Sequence, residues 1–451
     1  MTHEARPKPS LAALRRESIN LWYHELACQR SGSAGTSLET GKLTFMLNAP
    51  FVLRDVIHGY IDFPDDLLGR MALDILQTPA FQRLRQLHQL GLGRLLFPSA
   101  EHSRFAHSLG TYQLARLALA ELDRQVLIGH LTPQGRTAIG LAALLHDLGH
   151  GIFSHTAERI WDFNHEAITD RLIMEDPALQ TIWQRHDKLA PSLPTQIVQI
   201  RNGTELPADQ AFLHDLISSQ LDVDRMDYLL RDAYMTGVRY GGFDLSWVLR
   251  HITVVEWQGQ LRLAVQEKAA DALSQYLLAR FHMYKNVYEH RTVRIYDAML
   301  HGLMLRLRYL EPSWLDSLQI GWLLQPLGED LAAFLLRDDY AMWEALKRIA
   351  ASSNSDPLSR RLAADLLCDR RWDGEIREGT SFTPAHWEGT VFVTPYSRGQ
   401  FYNIKPEAEV LIVSAGEVKP LSEDPRVLRF SYTEPPAILE IRPPLRSNLL
   451  V

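Results

Sequence analysis

The sequence contains very little cysteine, with only Cys28 and Cys368 among its 451 residues. Two distant cysteines provide neither a disulfide framework nor a thiolate zinc site, a pattern typical of a reducing compartment, so we expect a cytoplasmic protein. The chain also lacks an apolar run long enough to span a bilayer, since the run that begins at Ile139 stops at His146. No membrane partner is therefore expected.

An excess of basic charge is also missing, because the formal net charge is -7. This acidity argues against broad binding to nucleic-acid backbones, so nucleic acid is not an expected partner. Hydrophobic residues at 46% and charged residues at 22% are ordinary for a globular protein. The chain is long enough to bury one or two sizeable cores without a covalent staple.

Hydrophobic periodicity predicts a mainly α fold with a smaller α+β C-terminal part. We expect an N-terminal extension over residues 1–50, a helical core over 51–310 and a C-terminal α+β region over 311–451. Thr78 and Pro79 are typical of a helix start, and Gly91 of its end. Predicted strands are a hairpin over 252–265 that turns at Gln258-Gly259, and C-terminal runs at 390–396, 408–416 and 427–432.

Histidine is abundant and clustered, since seven of the 18 histidines lie between His102 and His165. A lone histidine on an apolar helix is usually a core residue, but here the pair His146-Asp147 ends an almost wholly apolar helix. A buried carboxylate requires a strong partner, and a divalent cation supplies one. Imidazole with carboxylate suits Fe, Mn, Co, Ni or Zn. Gly149 and Gly151 would let the chain turn there, bringing His150 and His155 close.

Two further helices carry polar stripes. Asp224, Tyr228 and Asp232 recur at intervals of four residues and so share one face, which predicts either a solvated surface or a ligand-facing stripe. Arg280, Tyr284, Tyr288 and Arg291 form a second stripe, which predicts either an aromatic and basic surface or a phosphate and sugar clamp. Arg104 and His107, three residues apart, have by themselves no meaning beyond a charged helix start.

Together these segments resemble the HD-domain dNTP triphosphohydrolases, and especially the bacterial relatives of the vertebrate enzyme that joins a sterile-alpha-motif domain to an HD domain. The matching runs occur in the family's order between Asp55 and Arg291. They are DVIHGYIDF, TPAFQRLRQLHQLG, SRFAHSLG, HDLGHGIFSH, NHE, LDVDRMDYLLRDAYMTG and RFHMYKNVYEHR. Several motifs in order are far more specific than a single His-Asp pair.

The resemblance assigns roles to individual residues. The implied metal ligands are His107, His146, Asp147 and Asp224. The implied catalytic group is His150, His155 and His165 with Glu166. Arg104, Arg225, Tyr228 and Arg280 would bind the triphosphate, whereas Gln89, Tyr228 and Asp232 would read the 3′-hydroxyl and Tyr288 would crowd the 2′ position.

The implied reaction cleaves a dNTP to a deoxynucleoside and inorganic triphosphate. Water activated by the metal attacks the α-phosphorus, and His155, in preference to His150, protonates the departing 5′ oxygen. Mg²⁺ would accompany the substrate triphosphate. The resemblance also implies a homo-oligomer, either a dimer or a tetramer.

Nucleotide activation is a further family property, for which Gln82 and Arg85 match the activator site. Gln77 stands where an aspartate reads guanine in the family, and residues 369–375 match the C-terminal basic motif only loosely. We therefore do not expect activation by GTP or dGTP.

Two alternatives differ in chemistry. The first is another HD phosphoesterase, acting on nucleoside monophosphates, cyclic nucleotides or alarmones. The second is a nucleotide-sensing regulator with a vestigial site. Arg104, Arg225 and Arg280 favour a triphosphate substrate over the first alternative, and the complete set of metal ligands argues against the second.

Overall fold

A computed structural model describes residues 51–129, 131–378, 392–396, 410–414, 416–423 and 437–442. The chain divides into two compact units, Met1–Ala49 and Pro50–Val451, and every described residue belongs to the second. The predicted N-terminal extension and the predicted strand at 427–432 lie outside the described residues. The domain boundaries at residues 50 and 310 stay predictions.

The described chain is mainly α-helical, which confirms the predicted fold class. The helices are α1 (Leu67–Leu76), α2 (Pro79–Arg83), α3 (Arg104–Arg124), α4 (Pro133–Leu145), α5 (His155–Trp161), α6 (His165–Glu175), α7 (Pro177–His186), α8 (Leu193–Asn202) and α9 (Ala211–Ile217). They continue as α10 (Val223–Thr236), α11 (Leu245–His251), α12 (Ala270–Met283), α13 (Arg291–Leu310), α14 (Trp314–Ser317), α15 (Leu331–Leu335), α16 (Asp339–Ala351) and α17 (Pro357–Leu367). Among the described residues, no helix is both long enough and apolar enough to cross a bilayer.

Helix α4 is the buried centre of the fold, as its apolar sequence predicts. Thr132 caps its N-terminus by accepting a hydrogen bond from the Gly135 amide, and Pro133 occupies the first turn. From Thr137 to the end of the helix every residue is buried, against α1, α3 and α8. The helix ends at Leu145, so the polar pair that follows it emerges in the interior of the protein.

Helix α2 begins as predicted but ends earlier. The Thr78 hydroxyl accepts a hydrogen bond from the Phe81 amide, and Pro79 opens the helix. The α-helix stops at Arg83, followed by a 3₁₀ turn at Leu84–Gln86. Gly91, with φ of 51°, belongs to a later turn and does not end the helix.

Three small sheets accompany the helices. Strands β1 (Phe51–Asp55) and β2 (Gly59–Phe63) form a hairpin. Strands β3 (Ile252–Trp257), β4 (Gln260–Gln266), β7 (Leu411–Ser414) and β8 (Glu417–Pro420) form one sheet in that order. Strands β5 (Asp373–Glu378), β9 (Ala437–Arg442) and β6 (Phe392–Tyr396) form the third.

The predicted hairpin at residues 252–265 is present, with Trp257 paired to Gln260. Gln258 and Gly259 both have positive φ, 52° and 78°, as a two-residue type I′ turn requires. Strand β7 pairs in parallel with β4, so the C-terminal region extends a sheet that the helical core begins.

Candidate active site

Four side chains from three helices converge at one point. His107 lies in the first turn of α3, His146 and Asp147 follow α4, and Asp224 lies in the first turn of α10. The His107 Nε2 atom is 3.2 Å from His146 Nε2 and 3.0 Å from Asp224 Oδ1. The His146 Nε2 atom is 3.3 Å from Asp147 Oδ1 and 3.5 Å from Asp224 Oδ1. These four residues are called the metal cluster below.

Both histidines of the metal cluster are oriented by a partner that can only accept a hydrogen bond. The His107 Nδ1 atom lies 2.7 Å from Asp227 Oδ2, and the His146 Nδ1 atom lies 2.9 Å from the carbonyl oxygen of Ala143. Each Nδ1 must therefore carry the proton, which leaves each Nε2 lone pair directed into the cluster. This tautomer is the one that binds a metal ion.

The donor set fits a divalent transition metal. Ligands bonded to one ion at about 2.1 Å are separated from one another by roughly 3 Å, the spacing found here. Without a cation, two Nε2 atoms facing each other at 3.2 Å leave lone pairs in conflict unless one ring is protonated. Burial lowers the pKa of His107, but hydrogen bonds with Asp224 and Asp227 outweigh it and raise the pKa to about 10. The proton thus marks a position where positive charge is stabilised.

Both carboxyl groups of the metal cluster are held ionised. Burial opposes ionisation, but the charges of His146 and Arg104 keep the pKa of Asp147 well below its usual range. Burial likewise opposes ionisation of Asp224, and hydrogen bonds with His107 and His146 lower its pKa. Anionic oxygens at this point are suited to a cation.

Asp227 is the centre of a buried network that sequence reasoning did not single out. Besides His107, its carboxylate accepts hydrogen bonds from His58 Nε2 at 2.6 Å and from Arg231 Nε at 2.8 Å. Arg231 in turn bonds Asp55 through Nη1 at 2.8 Å. The i, i+4 spacing of Asp227 and Arg231 was the available signal. A Cβ atom on Gly110 would lie 1.8 Å from Asp227 Oδ1, so glycine is required beside the network.

Three imidazoles lie next to the metal cluster: His150, His155 and His165, called the histidine cluster below. The rings of His150 and His165 stack with centroids 3.9 Å apart, and the His155 ring meets His150 edge-on at 5.1 Å. The His150 Nε2 atom lies 3.2 Å from Asp147 Oδ1, which links the two clusters. Burial and the charge of Arg104 hold the pKa of His150 well below its usual range, so this ring is neutral.

Glu158 supports the histidine cluster, in the place where Glu166 was predicted. Its two oxygens accept hydrogen bonds from His155 Nδ1 at 2.7 Å and from His165 Nδ1 at 2.5 Å. Glu166 lies on the exposed first turn of α6, where its amide donates to the Asn164 side chain, and no described hydrogen bond joins its carboxylate to these rings. Glu158 follows His155 by three residues in α5, a spacing that could have revealed it.

The arginines predicted to bind phosphate are each held by a polar side chain, and Arg104 contacts the metal cluster directly. Arg104 bonds Asp147 through Nη1 and Ser154 Oγ through Nε at 3.0 Å. Arg225 bonds Asp222, and Arg280 donates to Gln220 Oε1 at 2.5 Å. Within the described structure, the buried Nε atoms of Arg225 and Arg280 have no hydrogen-bond partner. Buried donors of this kind mark places where a ligand can bind.

A cavity of about 320 Å³ opens beside the two clusters. The predicted residues among its lining are Gln89, Arg104, His155, Tyr228, Asp232 and Tyr288. The Tyr288 hydroxyl donates to Asp232 Oδ2 at 2.7 Å, and His102 Nε2 lies 2.7 Å from Asp232 Oδ1. The Gln89 Oε1 atom is buried without a partner among the described residues. The cavity therefore presents oriented polar groups on aromatic walls.

The second predicted stripe is interrupted. Helix α12 ends at Met283 and the chain continues as a π-helix over Tyr284–Tyr288, whereas Arg291 begins α13. Arg280, Tyr284 and Tyr288 therefore stay near one another, but the Arg291 guanidinium bonds the carbonyl oxygen of Gly374 instead. The wider π turn advances Tyr288 into the cavity lining.

The residues matched to an activator site lie on the surface. The Arg85 side chain donates to Gln82 Oε1 at 2.9 Å and lies 3.5 Å above the ring of Phe105. Gln77 is exposed and donates to the carbonyl oxygen of Leu73 at 3.2 Å. The activator assignment remains a prediction.

Comparisons with known proteins identify two matching families. Residues 104–232 match the HD domain, and residues 243–313 match the HD-associated region. Uncharacterized protein YwfO of Bacillus subtilis is 36% identical over 57% of this chain and 56% of its own length. Deoxynucleoside triphosphate triphosphohydrolase SAMHD1 of Homo sapiens is 28% identical over 56% of this chain and 44% of its own length.

A solved structure is similar over most of the chain. It is a phosphohydrolase from Bacteroides thetaiotaomicron, with a TM-score of 0.72 and 25% sequence identity, and the match covers 87% of this chain and 100% of that one. By contrast, this chain spans about half the length of the curated relatives it matches.

Proposed function

We propose that this chain, in which residues 104–232 match the HD domain and which is similar to dNTP triphosphohydrolases, is a metal-dependent hydrolase that cleaves dNTPs to deoxynucleosides and inorganic triphosphate. One observation carries the proposal. The metal cluster, the histidine cluster and a cavity lined by Arg104, Tyr228 and Asp232 lie side by side. A nucleotide in this cavity can thus meet both a cation and a proton donor.

The metal cluster is proposed to hold Fe, Mn, Co, Ni or Zn, with His107, His146, Asp147 and Asp224 as ligands. A bound ion would supply Lewis-acid activation of water and of a phosphoryl oxygen. The carboxylate of Asp227 would keep the His107 ring in its ligating tautomer. Mg²⁺ is proposed to accompany the triphosphate.

The proton for the leaving group is assigned to the histidine cluster. Glu158 accepts a hydrogen bond from His155 Nδ1 and would stabilise the doubly protonated ring, whose Nε2 proton would then pass to the departing 5′ oxygen. His155 is the better candidate than His150 because its side chain is 65% exposed on the cavity side, whereas His150 is buried and neutral. His165 bonds the same carboxylate, so a positive charge on His155 would be shared with His165 through Glu158.

The role of binding the negatively charged phosphates is assigned to the guanidinium groups. Arg104 lies in the cavity wall, fixed by Asp147 and Ser154, so it is preorganised to meet a phosphoryl oxygen. Arg225 and Arg280 each keep a buried N–H group that a triphosphate could satisfy. Three guanidinium groups would match the charge of a triphosphate better than that of a monophosphate.

The sugar is assigned to the opposite part of the cavity. The 3′-hydroxyl is proposed to bind Asp232 and Gln89. Asp232 is held by Tyr288 and His102, and the Gln89 Oε1 atom has no partner among the described residues. The Tyr288 ring, packed edge-on against Tyr228 at 5.8 Å, would crowd a 2′-hydroxyl. The crowding at the 2′ position predicts preference for deoxyribose over ribose, whereas the 3′-hydroxyl contact is common to both sugars.

An oligomer, a dimer or tetramer, is part of the proposal. Phe51, Val52, Val56 and Tyr60 in the β1–β2 hairpin are all more than 40% exposed. Exposed apolar clusters of this kind are typical of protein interfaces. Analytical ultracentrifugation of the full chain tests this part, and a monomer at micromolar concentration would contradict it.

The test of the activity is product identification. Metal-loaded protein is incubated with each dNTP, each NTP, a deoxynucleoside monophosphate and a cyclic nucleotide, and the products are separated by ion-exchange chromatography. Deoxynucleoside with inorganic triphosphate supports the proposal. Phosphate released from the monophosphate would instead support the broader phosphoesterase, and nucleotide binding without turnover under any metal would support a sensor.

A further inference from the structure

A buried aspartate beyond the matched family segments contacts the loop that carries the catalytic histidines. Asp339 is the first residue of α16 and is fully buried, 26 residues after the HD-associated region ends at 313. Its Oδ1 atom accepts a hydrogen bond from the Phe153 amide at 2.7 Å. Its Oδ2 atom accepts one from the His88 amide at 2.8 Å and lies 2.8 Å from His88 Nδ1.

The backbone held by Asp339 is strained. Phe153 and Ser154 have φ of 51° and 58°, a region that residues with a side chain rarely adopt. Such conformations persist only where surrounding contacts determine them. Ser154 directly precedes His155, so the direction in which His155 leaves the loop depends on these two residues. A Cβ atom on Gly91 would lie 2.8 Å from the Phe153 carbonyl oxygen, which shows how closely this turn is packed.

A second contact ties the other end of the same loop to the same region. Arg83, which is buried, donates from Nη1 to the carbonyl oxygen of His150 at 2.8 Å. Its Nε and Nη2 atoms donate to the carbonyl oxygen of Arg337 at 3.1 and 2.7 Å. The segment Arg337–Asp339 is therefore connected to both ends of the loop His150–Phe153.

We propose that Asp339 is a positioning residue, which places His155 by holding the strained turn at Phe153–Ser154. This inference rests on the proposed function, because it assigns His155 the proton transfer. Asp339 is not among the residues that line the cavity, and it holds the Phe153 turn through a backbone amide. Its bond to the His88 amide also fixes the start of the segment that carries Gln89, so one carboxylate orders both edges of the cavity.

The matched experiment compares Asp339→Asn with Asp330→Asn. The asparagine side chain in the first variant retains the size and one acceptor oxygen of the aspartate. Its NH₂ group, however, faces either the Phe153 amide or the two His88 donors, from which it cannot accept a hydrogen bond. Asp330 caps the short helix α15 in the same region and has no described contact with the loop His150–Phe153. We expect Asp339→Asn to lower kcat for dNTP hydrolysis by about 100-fold, with KM and bound metal unchanged. Asp330→Asn is expected to leave all three unchanged.

A second substrate separates positioning from general damage. Bis(p-nitrophenyl) phosphate has a leaving group that needs no protonation, so a misplaced proton donor matters little. We expect Asp339→Asn to lower its hydrolysis by less than about threefold. Equal loss on both substrates would overturn the proposal in favour of a merely structural role, as would unchanged kcat on both.

A measurement without substrate keeps the inference separate from the proposed activity. Hydrogen exchange should accelerate at the Phe153 and His88 amides in Asp339→Asn and stay unchanged in α17. If wild-type protein fails to cleave dNTPs, the proposed function fails while exchange still decides the positioning claim. If Asp339→Asn fails to fold, Arg83→Lys tests the same connection by the same ratio of two substrates, since one ammonium nitrogen replaces the three donor nitrogens by which Arg83 spans the carbonyl oxygens of His150 and Arg337.

Discussion

The metal cluster and the histidine cluster are built from similar side chains and differ in how the rings face one another. In the metal cluster, the Nε2 atoms of His107 and His146 point at each other and at two carboxylates, within 3.0 to 3.7 Å. In the histidine cluster, His150 and His165 stack with their planes only 16° apart. One ring nitrogen of each of His150, His155 and His165 lies within 4.8 Å of the others, so spacing alone would allow a cation here too, but Nδ1 of both His155 and His165 already bonds Glu158.

The carboxylates that hold the rings of the two clusters also differ in their burial. His107 is held by a wholly buried carboxylate that is itself bonded to Arg231 and His58, so its orientation cannot relax. His155 is held by Glu158 and has a side chain 65% exposed, so it can exchange protons with solvent. Partner geometry, more than residue type, therefore distinguishes the proposed metal site from the proposed proton donor.

The largest expected effect comes from removing a ligand of the metal cluster. We expect Asp224→Ala or His146→Ala to lose bound metal and to lower turnover more than about 1,000-fold, because Lewis-acid activation goes with the ion. Metal content by atomic emission and product formation are measured on the same sample. Asp187→Ala, at an exposed aspartate after α7, is the control. Retained metal and activity in either variant would refute the ligand assignment.

Removing the proposed proton donor should distinguish the roles of the two clusters. We expect His155→Ala to lower kcat by about 10² to 10⁴-fold, because a positioned general acid contributes about that much. Bound metal should stay at the wild-type level, since His155 belongs to the histidine cluster. Loss of metal together with activity would place His155 among the ligands and merge the two clusters into one site.

A smaller effect is expected from a substitution in the buried hydrogen-bond network around Asp227, which orients His107. Asp227→Asn removes the charge that orients His107, and we expect metal affinity to fall about 10 to 100-fold. Activity at saturating metal should recover most of its wild-type value. Competition with a chelator measures the affinity, with Asp123→Asn, in an exposed ion pair with Arg136, as the control. Unchanged affinity would show that Asp227 serves packing alone.

The smallest effect is a pH dependence of metal binding. In the metal-free protein Asp224 and Asp227 overcome burial and raise the pKa of His107 to about 10, so below that pH the incoming ion must displace a proton. Metal affinity should therefore rise with pH, by up to about tenfold per unit for each proton displaced. Calorimetry in two buffers of different ionisation enthalpy counts the protons. Binding without proton release at pH 7 would contradict this account.

The prediction of the fold class, which the structure confirms, and the prediction of the metal ligands rest on different observations. His146 and Asp147 follow from burial at the end of an apolar helix, and Asp224 from its stripe with Tyr228 and Asp232. His107 depended on the family resemblance, because Arg104 and His107 alone do not distinguish a site from a charged helix start.

Other features could not be predicted because they depend on tertiary contacts. The family resemblance implied Glu166, whereas in the structure Glu158, which precedes the left-handed turn at Asp162 with φ of 50°, bonds both rings. His58 meets Asp227 across 169 residues. The i, i+3 spacing within α5 indicates the contact of Glu158 with His155, but no local pattern reports its contact with His165 or that of His58 with Asp227.

Isotope labelling tests the central claim most directly, namely that this site directs water to the α-phosphorus of a dNTP. The metal-loaded protein hydrolyses a dNTP in water enriched in ¹⁸O, and mass spectrometry locates the label. The account predicts ¹⁸O in inorganic triphosphate and none in the deoxynucleoside. Label in a deoxynucleoside monophosphate, in released phosphate or in the 5′-hydroxyl of the deoxynucleoside would contradict it.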